Sequence, residues 1–169
     1  ALNHLEKIVV ADIVCLVLLI GVELLRALHC AAQNRILRKK IYLDEATGLP
    51  NKNKCEEILS DPTPLGEEES TAICVFDLNN LRIINNNLGH DKGDAYIRSF
   101  AEQLRLAVDP ENFVGRDGGD EFIAIFQKTD HSKMRETLKK IRTQMENYSA
   151  KHPEMPISYA AGYAISLDF

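Results

Sequence analysis

Two short apolar runs enclose the acidic segment Asp117-Gly118-Gly119-Asp120. The upstream run is Phe113-Val114-Gly115-Arg116, and the downstream run, Phe122-Ile123-Ala124-Ile125-Phe126, is continuous and rich in residues that favour β-strands. Runs of this length on either side of a polar turn predict a β-hairpin with Asp117 to Asp120 at its tip. A fold for this chain must therefore include an antiparallel pair of strands.

The hairpin tip combines glycines with carboxylates. Without a Cβ atom, Gly118 and Gly119 can adopt positive φ and let a phosphate or a base approach main-chain N–H groups. Asp120 and Glu121 add carboxylates of the kind that hold Mg²⁺ together with substrate phosphates. Taken alone, the segment favours the simpler interpretation of an acidic turn without a ligand, because such turns are common.

A further acid, Asp77, changes this balance. It ends the apolar run Ala72-Ile73-Cys74-Val75-Phe76, which predicts a buried strand. An acid at a strand end beside a hairpin that bears two more predicts a metal site at one edge of a sheet. The alternative role for Asp77 is to cap the following helix, a role that Asn79 or Asn80 could also fill.

After this strand, apolar residues recur at the spacing of an α-helix. Leu81, Ile84 and Leu88, followed by Gly89, predict a short helix from Asn80 to Leu88. The sequence Asp91-Lys92-Gly93-Asp94 then predicts a turn, with Asp94 capping a second, longer helix. The buried face of that helix is predicted to comprise Ile97, Phe100, Ala101, Leu104 and Val108.

The remaining segments predict scaffold. A short helix follows Asn51, a solvated loop occupies residues 61–69, a helix runs through Met134 to Tyr148, and a strand spans Ile157 to Ala164. Strands paired by a hairpin and covered by helices predict an α+β fold. The net charge of −5 and the lack of a basic face exclude a nucleic-acid-binding role, and the 4 cysteines show no metal-ligand spacing.

The order of these motifs resembles the GGDEF family of diguanylate cyclases. The matching residues, in sequence order, are Asp77-Leu78, Asn85, Gly89-His90, Gly93-Asp94 and Gly118-Gly119-Asp120-Glu121-Phe122. Earlier, Asp44 to Lys52 is similar to the family's opening signature Asp-x-Leu-Thr-Gly-Leu-x-Asn-Arg. The resemblance runs from about Asp44 to the end of the chain, and several spaced motifs in the right order are far more specific than one glycine-rich string.

The resemblance implies both a fold and a reaction. The fold is a mainly antiparallel central sheet flanked by helices, with a ferredoxin-like core similar to that of class III nucleotide cyclases, here preceded by a long N-terminal helix. The reaction condenses two GTP molecules into cyclic di-GMP with release of pyrophosphate. Each subunit of a homodimer binds one GTP, so a dimer acting in signalling is implied.

Metal-site and catalytic roles follow from the matching motif positions. Asp77, Asp120 and Glu121, with the Leu78 carbonyl, resemble the ligands of Mg²⁺ or Mn²⁺. Asp120 and Glu121 are also the candidate catalytic acids that help deprotonate the 3′-hydroxyl, and the sequence leaves open which of the acids accepts that proton.

Substrate-binding roles are implied in the same way. Gly118, Gly119 and Arg82 are expected near the phosphates, while Asn85 and Asp94 resemble the residues that recognise guanine. An ionised Asp94 accepts from the N1–H and N2–H donors of guanine, and adenine lacks that donor pair, so GTP is favoured over ATP. The structural alternatives are an exposed helix residue for Asn85 and a helix cap for Asp94.

The chain also departs from the family pattern. Where Asp-x-Asp-x-Phe-Lys is usual, it has Asp77-Leu78-Asn79-Asn80-Leu81-Arg82, so an acid and an aromatic residue are replaced. Many members carry an inhibitory product site, Arg-x-x-Asp, where this chain has Asp109-Pro110-Glu111-Asn112, and we expect no product inhibition there. The chain is also expected to lack the family's usual C-terminal helix. We expect an active diguanylate cyclase, because the matching motif residues are all present. These changes support the alternative, a catalytically weak or inactive GTP-binding regulatory module.

The N-terminal residues predict a separate element. Residues 1–42 are predicted to form a signalling or membrane-proximal helix and linker, and residues 43–169 the GGDEF domain. Residues 8–28 are overwhelmingly apolar and are followed by Arg35, Arg38, Lys39 and Lys40, as expected at a cytoplasmic flank. We favour a helix that anchors a cytoplasmic catalytic domain to the inner face of the cell membrane. The alternative is a soluble signalling helix packed against a partner helix in a dimer.

Overall fold

The structure is a computed structural model that describes residues 3–60 and 70–166. The loop predicted at residues 61–69 lies outside these ranges. The chain divides into two compact units, Ala1–Ile41 and Tyr42–Phe169.

The first unit is dominated by helix α1, His4–Tyr42. Its large apolar side chains are exposed wherever they are described, among them Leu16, Leu19 and Leu25. The segment Cys15–Asn34 has a mean hydropathy of 1.9 and is long and apolar enough to cross a membrane, judged by length and composition only.

The second unit is an antiparallel sheet with helices on both faces. Its strands lie in the order β2-β3-β1-β4, so that the central strand β1 pairs with both β3 and β4. The elements are α2 Lys52–Ser60, β1 Thr71–Leu78, α3 Leu81–Leu88, α4 His90–Ala107, β2 Phe113–Arg116, β3 Glu121–Gln127, α5 His131–Lys151 and β4 Tyr159–Ile165. The predicted α+β fold, its hairpin and the long N-terminal helix are confirmed.

The two faces of β1 have different surroundings, since successive side chains of a strand point to opposite sides. Ala72, Cys74, Phe76 and Leu78 are buried in the main core, which also contains residues of α4 and α5. The opposite face carries Asp77 and a smaller cluster formed by Cys55 of α2 with residues of β3. The exposed end of β1 therefore presents Asp77 away from the main core.

Phe100 fixes helix α4 across the sheet. Its ring centroid lies 6.2 Å from that of Phe76 in β1, 4.9 Å from that of Phe122 in β3 and 5.5 Å from that of Tyr159 in β4. Edge-to-face and tilted aromatic pairs at these distances stabilise packing beyond the area they bury. The helix that carries Asp94 is thus held against three strands.

The prediction of a turn at Asp91-Lys92-Gly93-Asp94 is wrong. Helix α4 begins at His90, so these four residues are helical and Asp94 does not cap the helix. The break between α3 and α4 is made by Gly89 alone, whose φ of 87° is a conformation that glycine adopts without steric cost. Asp91 lies in the first turn of α4, where its charge complements the helix dipole.

Neither Asp77 nor Asn79 caps helix α3. The N-cap is Asn80, which adopts a left-handed conformation with φ of 65° and makes no side-chain capping hydrogen bond. Asparagine is among the residues that tolerate this conformation best. The carboxylate of Asp77 is therefore left for another role.

Candidate functional site

The register of the sheet brings the acids of β1 and of the hairpin together. Asp77 lies directly opposite Glu121, and both side chains are exposed. The N–H of Leu78 donates to the carbonyl of Asp120 over 2.9 Å, which fixes the hairpin tip beside the end of β1. Two like charges opposite one another on adjacent strands are destabilising, and a bound cation would relieve this repulsion.

The hairpin tip is closed by two bonds to one carbonyl. The N–H groups of Asp117 and Gly118 donate to the carbonyl of Glu121 over 2.9 and 3.3 Å. In the part of the chain that the structure describes, the N–H groups of Gly119 and Asp120 have no acceptor. A Cβ atom at Gly119 would meet nothing within 4 Å. The tip therefore offers open space and two unpaired donors, a combination that suits an anion.

The glycines of the tip do not adopt positive φ, contrary to expectation. Among the described residues, Gly48 and Gly89 are the glycines with positive φ. At Gly118 a Cβ atom would lie 3.1 Å from Oε2 of Glu121, so glycine there leaves room for that carboxylate. At Gly118, therefore, the absence of a side chain matters for the room it leaves to Glu121, and a left-handed backbone plays no part at either glycine.

Arg116 binds the backbone of the hairpin tip, a supporting role that the sequence motifs did not predict. Its Nε donates to the carbonyl of Gly118 over 3.0 Å, and its Nη2 donates to the carbonyl of Gly119 over 2.8 Å. Its Nη1 donates to both carboxylate oxygens of Asp44, over 3.0 and 3.1 Å. The planar guanidinium thus orients both glycine carbonyls towards itself, a geometry that lysine cannot reproduce.

Asp44 belongs to the turn that opens the second unit. Its Oδ1 also accepts from the N–H and the hydroxyl of Thr47, over 2.9 and 2.7 Å. Partial burial alone would raise the pKa of Asp44, but the hydrogen bonds from Thr47 and Arg116 outweigh it, and its pKa is lowered from the ordinary 3.8. The similarity of residues 44–52 to a family signature therefore has a physical basis: this turn supports the hairpin.

The candidate guanine-binding residues lie where α3 packs on α4. Asn85 contacts Gly93, where a Cβ atom would lie only 1.8 Å from Oδ1 of Asn85. That oxygen is buried and has no hydrogen-bond partner in the described residues. Asp94 follows Gly93 and is exposed. The exposed Asp94 carboxylate is open to a ligand that supplies N–H groups, and the amide of Asn85 lies beside the residue that precedes it.

Arg82 is exposed in the first turn of α3. Within residues 3–60 and 70–166, no hydrogen bond or ion pair joins it to the hairpin. The structure thus brings Asp77, Leu78, Asp120 and Glu121 together, and separately Asn85 with Gly93. Among the described residues, no side-chain hydrogen bond or ion pair links Arg82 to either group.

The acids fit a metal ion only if the substrate completes the ligand set. The described ranges contain no group of three or more His, Cys, Asp or Glu side chains placed to hold a metal. Mg²⁺ is usually bound by one or two carboxylates together with substrate phosphates and water, so the opposed pair Asp77 and Glu121 meets this requirement. The unpaired N–H groups at the tip are placed to receive such a phosphate.

The segment before the hairpin has different chemistry. Asp109 pairs with Lys140 of α5 over 2.7 Å, and both side chains are largely exposed. The side-chain oxygen of Asn112 accepts from the N–H of Gln127 over 3.3 Å. The Asp109 carboxylate is thus paired with a lysine, and no arginine occupies Asp109 to Asn112.

These features define a class of domain: an α+β unit with an acidic glycine hairpin at the end of its central strand. The chain belongs to the GGDEF family, since the family model described as "Diguanylate cyclase, GGDEF domain" matches residues 41–167. The resemblance inferred from the motifs is confirmed.

Curated relatives include proteins named for opposite reactions. The chain is 30% identical over 168 residues to the cyclic di-GMP phosphodiesterase PdeB of Shewanella oneidensis, covering 99% of this chain and 18% of PdeB. It is 29% identical over 114 residues to the diguanylate cyclase DgcP of Escherichia coli, covering 66% of this chain and 33% of DgcP. The chain therefore spans a third or less of the length of these two relatives.

A solved structure shares the fold. The GGDEF domain of DgcB from Caulobacter crescentus, in complex with c-di-GMP, superposes with a TM-score of 0.64 and 26% identity. The similarity covers 73% of this chain and 77% of that domain. The family is thus one of cyclic di-GMP signalling, in which diguanylate cyclases are the general rule.

Proposed function

We propose that this chain is a diguanylate cyclase domain, which condenses two GTP molecules into cyclic di-GMP and pyrophosphate. The observation that carries the proposal is the register of β1 and β3, in which Asp77 faces Glu121 and Leu78 is bonded to Asp120. Strand pairing alone thereby places the carboxylates of Asp77 and Glu121 opposite each other, and the backbone bond to Asp120 holds the hairpin tip with its unpaired N–H donors beside them. The membership in the GGDEF family supports the same reaction.

Asp77, Asp120, Glu121 and the Leu78 carbonyl would hold Mg²⁺ or Mn²⁺ together with the triphosphate. A bound divalent cation neutralises charge that develops on phosphate oxygens. The N–H groups of Gly119 and Asp120 bind phosphate oxygens at the tip, where Arg116 keeps both glycine carbonyls turned away from the anion. Asp120 or Glu121 accepts the proton of the 3′-hydroxyl, and the exposed Arg82 adds positive charge near the phosphates.

Guanine is recognised between α3 and α4. Asp94 accepts from the N1–H and N2–H groups of the base, and the amide of Asn85, which can both donate and accept, binds the base beside it. Adenine presents no such pair of donors. This chemistry supports GTP rather than ATP as the substrate.

Assembly and location follow from the reaction and from α1. Each subunit holds one GTP, so a homodimer in which two sites face each other is required. Residues 8–28 of α1 would anchor the domain to the inner face of the cell membrane, which the apolar segment Cys15–Asn34 supports. Residues 1–42 would act as the signalling element and residues 43–169 as the cytoplasmic catalytic domain.

A second function has specific support. PdeB, which is similar over 99% of this chain, is named a phosphodiesterase, so a domain of this sequence type can belong to a protein with the opposite activity. Asn79 also replaces an acid close to the proposed metal site. The alternative is a regulatory module that binds GTP without converting it.

Product analysis separates the two functions. The chain is incubated with GTP and Mg²⁺ at concentrations where it dimerises, and the cyclic dinucleotide and pyrophosphate are quantified. We expect cyclic di-GMP from the wild type and at least a hundredfold lower turnover in Asp77→Asn and Glu121→Gln, as transition-state charge stabilisation typically contributes about that much. Glu136→Gln, an exposed acid in α5, is the matched control. GTP binding without any cyclic dinucleotide would favour the regulatory module.

A further inference from the structure

Ser158 is the point at which α4, β1 and the start of β4 meet. The hydroxyl of Tyr96 in α4 accepts from the N–H of Ser158 over 2.9 Å and donates to the carbonyl of the same residue over 3.2 Å. One side chain thus satisfies both main-chain polar groups of Ser158. The backbone immediately before β4 is fixed by a helix rather than by strand pairing alone.

Asn79 binds the same residue from the other side. Its N–H donates to the carbonyl of Ser158 over 2.9 Å, and its Nδ2 donates to Oγ of Ser158 over 3.1 Å. The preceding residue, Leu78, donates its own N–H to the carbonyl of Asp120. At the end of β1, the N–H of Asn79 therefore binds the residue that precedes β4, and the N–H of Leu78 binds the hairpin.

The hydroxyl of Tyr96 is buried and therefore needs hydrogen-bond partners within the protein. Tyr96 is 1% exposed, and burial raises its pKa above the ordinary 10.0, although the bond with Ser158 acts in the opposite direction. The hydroxyl therefore stays neutral and can donate and accept at once. A core position that needed only volume would be filled by phenylalanine, which has no buried polar atom to satisfy.

We propose that Tyr96 is a positioning residue, which acts through Ser158 and Asn79 to set the end of β1 that carries Asp77 and Leu78. The importance of that end rests on the proposed function, in which both residues hold the metal of the substrate complex. Because Tyr96 lies two residues after Asp94, the same helix turn that reads the base also fixes the metal-binding strand. Helix α4 thereby fixes the proposed base-binding residue and the proposed metal-binding strand relative to each other.

The test compares two tyrosines of the full chain. Tyr96→Phe removes the hydroxyl at Ser158 and leaves the ring in the core. Tyr148→Phe is the matched control, since its hydroxyl also bonds to a serine of α4, Ser99, over 2.8 Å but has no link to Ser158. Thermal unfolding of both variants establishes that they remain folded.

The first readout needs no nucleotide. Amide hydrogen exchange is measured by NMR at Leu78, Asn79 and Ser158. In Tyr96→Phe we expect about fivefold faster exchange at Asn79 and Ser158, the effect of losing one hydrogen bond, and no change in Tyr148→Phe. Equal exchange in Tyr96→Phe and the wild type would overturn the proposal.

The second readout is the affinity for GTP in the presence of Mg²⁺, measured by calorimetry with Ca²⁺ replacing Mg²⁺ if turnover interferes. Groups that orient metal ligands typically change metal affinity by about tenfold or more, and we expect a tenfold loss in Tyr96→Phe alone. Loss of metal-dependent affinity to the same extent in Tyr148→Phe would show a general packing effect and contradict the proposal.

Two further outcomes keep the positioning role and the proposed function distinguishable. If the wild type binds no GTP but exchange still rises selectively in Tyr96→Phe, the positioning of β1 is supported and the proposed function fails. If Tyr96→Phe does not fold, Ser158→Ala tests the link from Ser158 to Asn79 on which the proposal depends, because it keeps both main-chain bonds to Tyr96 and removes only the bond from Nδ2 of Asn79. Faster exchange at Asn79 in that variant would support the proposal, and unchanged exchange would overturn it.

Discussion

Gly93 shows how one missing Cβ can leave room for a neighbouring side chain, here the amide of Asn85. A Cβ atom there would lie 1.8 Å from Oδ1 and 2.8 Å from Cγ of Asn85, so the whole amide would have to rotate away. In Gly93→Ala we expect GTP affinity to fall at least tenfold. We expect the free energy of unfolding to change by less than about 1 kcal/mol, because alanine's helix propensity offsets the side-chain rearrangement. Titration with GTP and urea unfolding provide the two values.

Gly162→Ala is the control for this prediction. A Cβ atom at that position in β4 would meet nothing within 4 Å. The variant should bind GTP like the wild type. Unchanged GTP affinity in Gly93→Ala would mean that Asn85 does not contact the base.

Asp44 gives the hairpin support a pH dependence. Because its pKa is lowered in the folded protein, its contribution to stability is fully present above the ordinary 3.8 and is lost as pH falls through the folded value. Asp44→Asn should therefore destabilise the protein at pH 7, and its difference from the wild type should shrink below about pH 4. Urea unfolding of both proteins across this pH range measures the difference. A constant difference at all pH values would show that the charge of Asp44 is irrelevant.

The cysteines should fall into two classes. Burial raises the pKa of Cys55 to about 11 and that of Cys74 to about 12, whereas Cys15 and Cys30 are exposed in α1. Since the thiolate is the reactive form, Cys55 and Cys74 should be unreactive at pH 8. A thiol reagent such as DTNB should leave Cys55 and Cys74 of the folded chain unlabelled and should label all 4 cysteines after unfolding in denaturant. Rapid labelling of Cys74 in the folded chain would contradict its burial in the core.

At the scale of elements, the sequence predicted what local patterns encode. The apolar runs on either side of Asp117 to Asp120 specified the hairpin, and the spacing of Phe100 and Leu104 specified the buried face of α4. The turn expected at Asp91 to Asp94 was wrong because Gly89 alone supplies the break, so that Gly93 and Asp94 are free to be helical.

The contacts that support the site could not be predicted in this way. Arg116 binds Asp44, and Tyr96 binds Ser158, across long stretches of sequence. The spacing of apolar residues along the sequence does not predict such contacts, since they depend on the order of the strands in the sheet. The sequence did contain one indication for Arg116, because a cation that directly precedes an acidic turn is expected to form an ion pair or hydrogen bonds close to that turn.

The segment between α4 and β2 gives a prediction about product control. Asp109-Pro110-Glu111-Asn112 lacks the arginine of the family's inhibitory site, and Asp109 is paired with Lys140. Added cyclic di-GMP should leave initial turnover of the wild type unchanged. The double change Asp109→Arg with Asn112→Asp should introduce inhibition, because a guanidinium can bind phosphate oxygens bidentately. Turnover assays at increasing product concentration measure both.

The control for this pair is Asp109→Arg with Asn112 unchanged, which adds the cation but not the acid of the motif. It should show weaker inhibition than the double variant. Strong product inhibition of the wild type that disappears when Asp109 to Asn112 is altered would overturn the prediction.

At the scale of the whole molecule, α1 is expected to control the encounter of two catalytic domains. A chain that begins at Tyr42 retains the entire second unit, so its thermal unfolding should resemble that of the same unit in the full chain. Its dimerisation should be weaker and its turnover at low protein concentration lower, since the proposed reaction brings together two subunits that each hold one GTP. Sedimentation velocity and a cyclic di-GMP assay over a range of concentrations test this. Unchanged dimerisation and turnover would exclude a role for α1.

The strand order also governs how the domain is made. The central strand β1 is synthesised first, yet its neighbours β3 and β4 come later and β4 is the last described strand to leave the ribosome. A nascent chain that has reached only Lys151 already contains Asp77, Asn85, Asp94 and the hairpin, but one edge of β1 is still open to other chains. Residues 158–165 therefore cover that edge and bring Ser158 to Tyr96 and Asn79 at the same time, so protection from misassembly and the anchoring of the end of β1 coincide during synthesis.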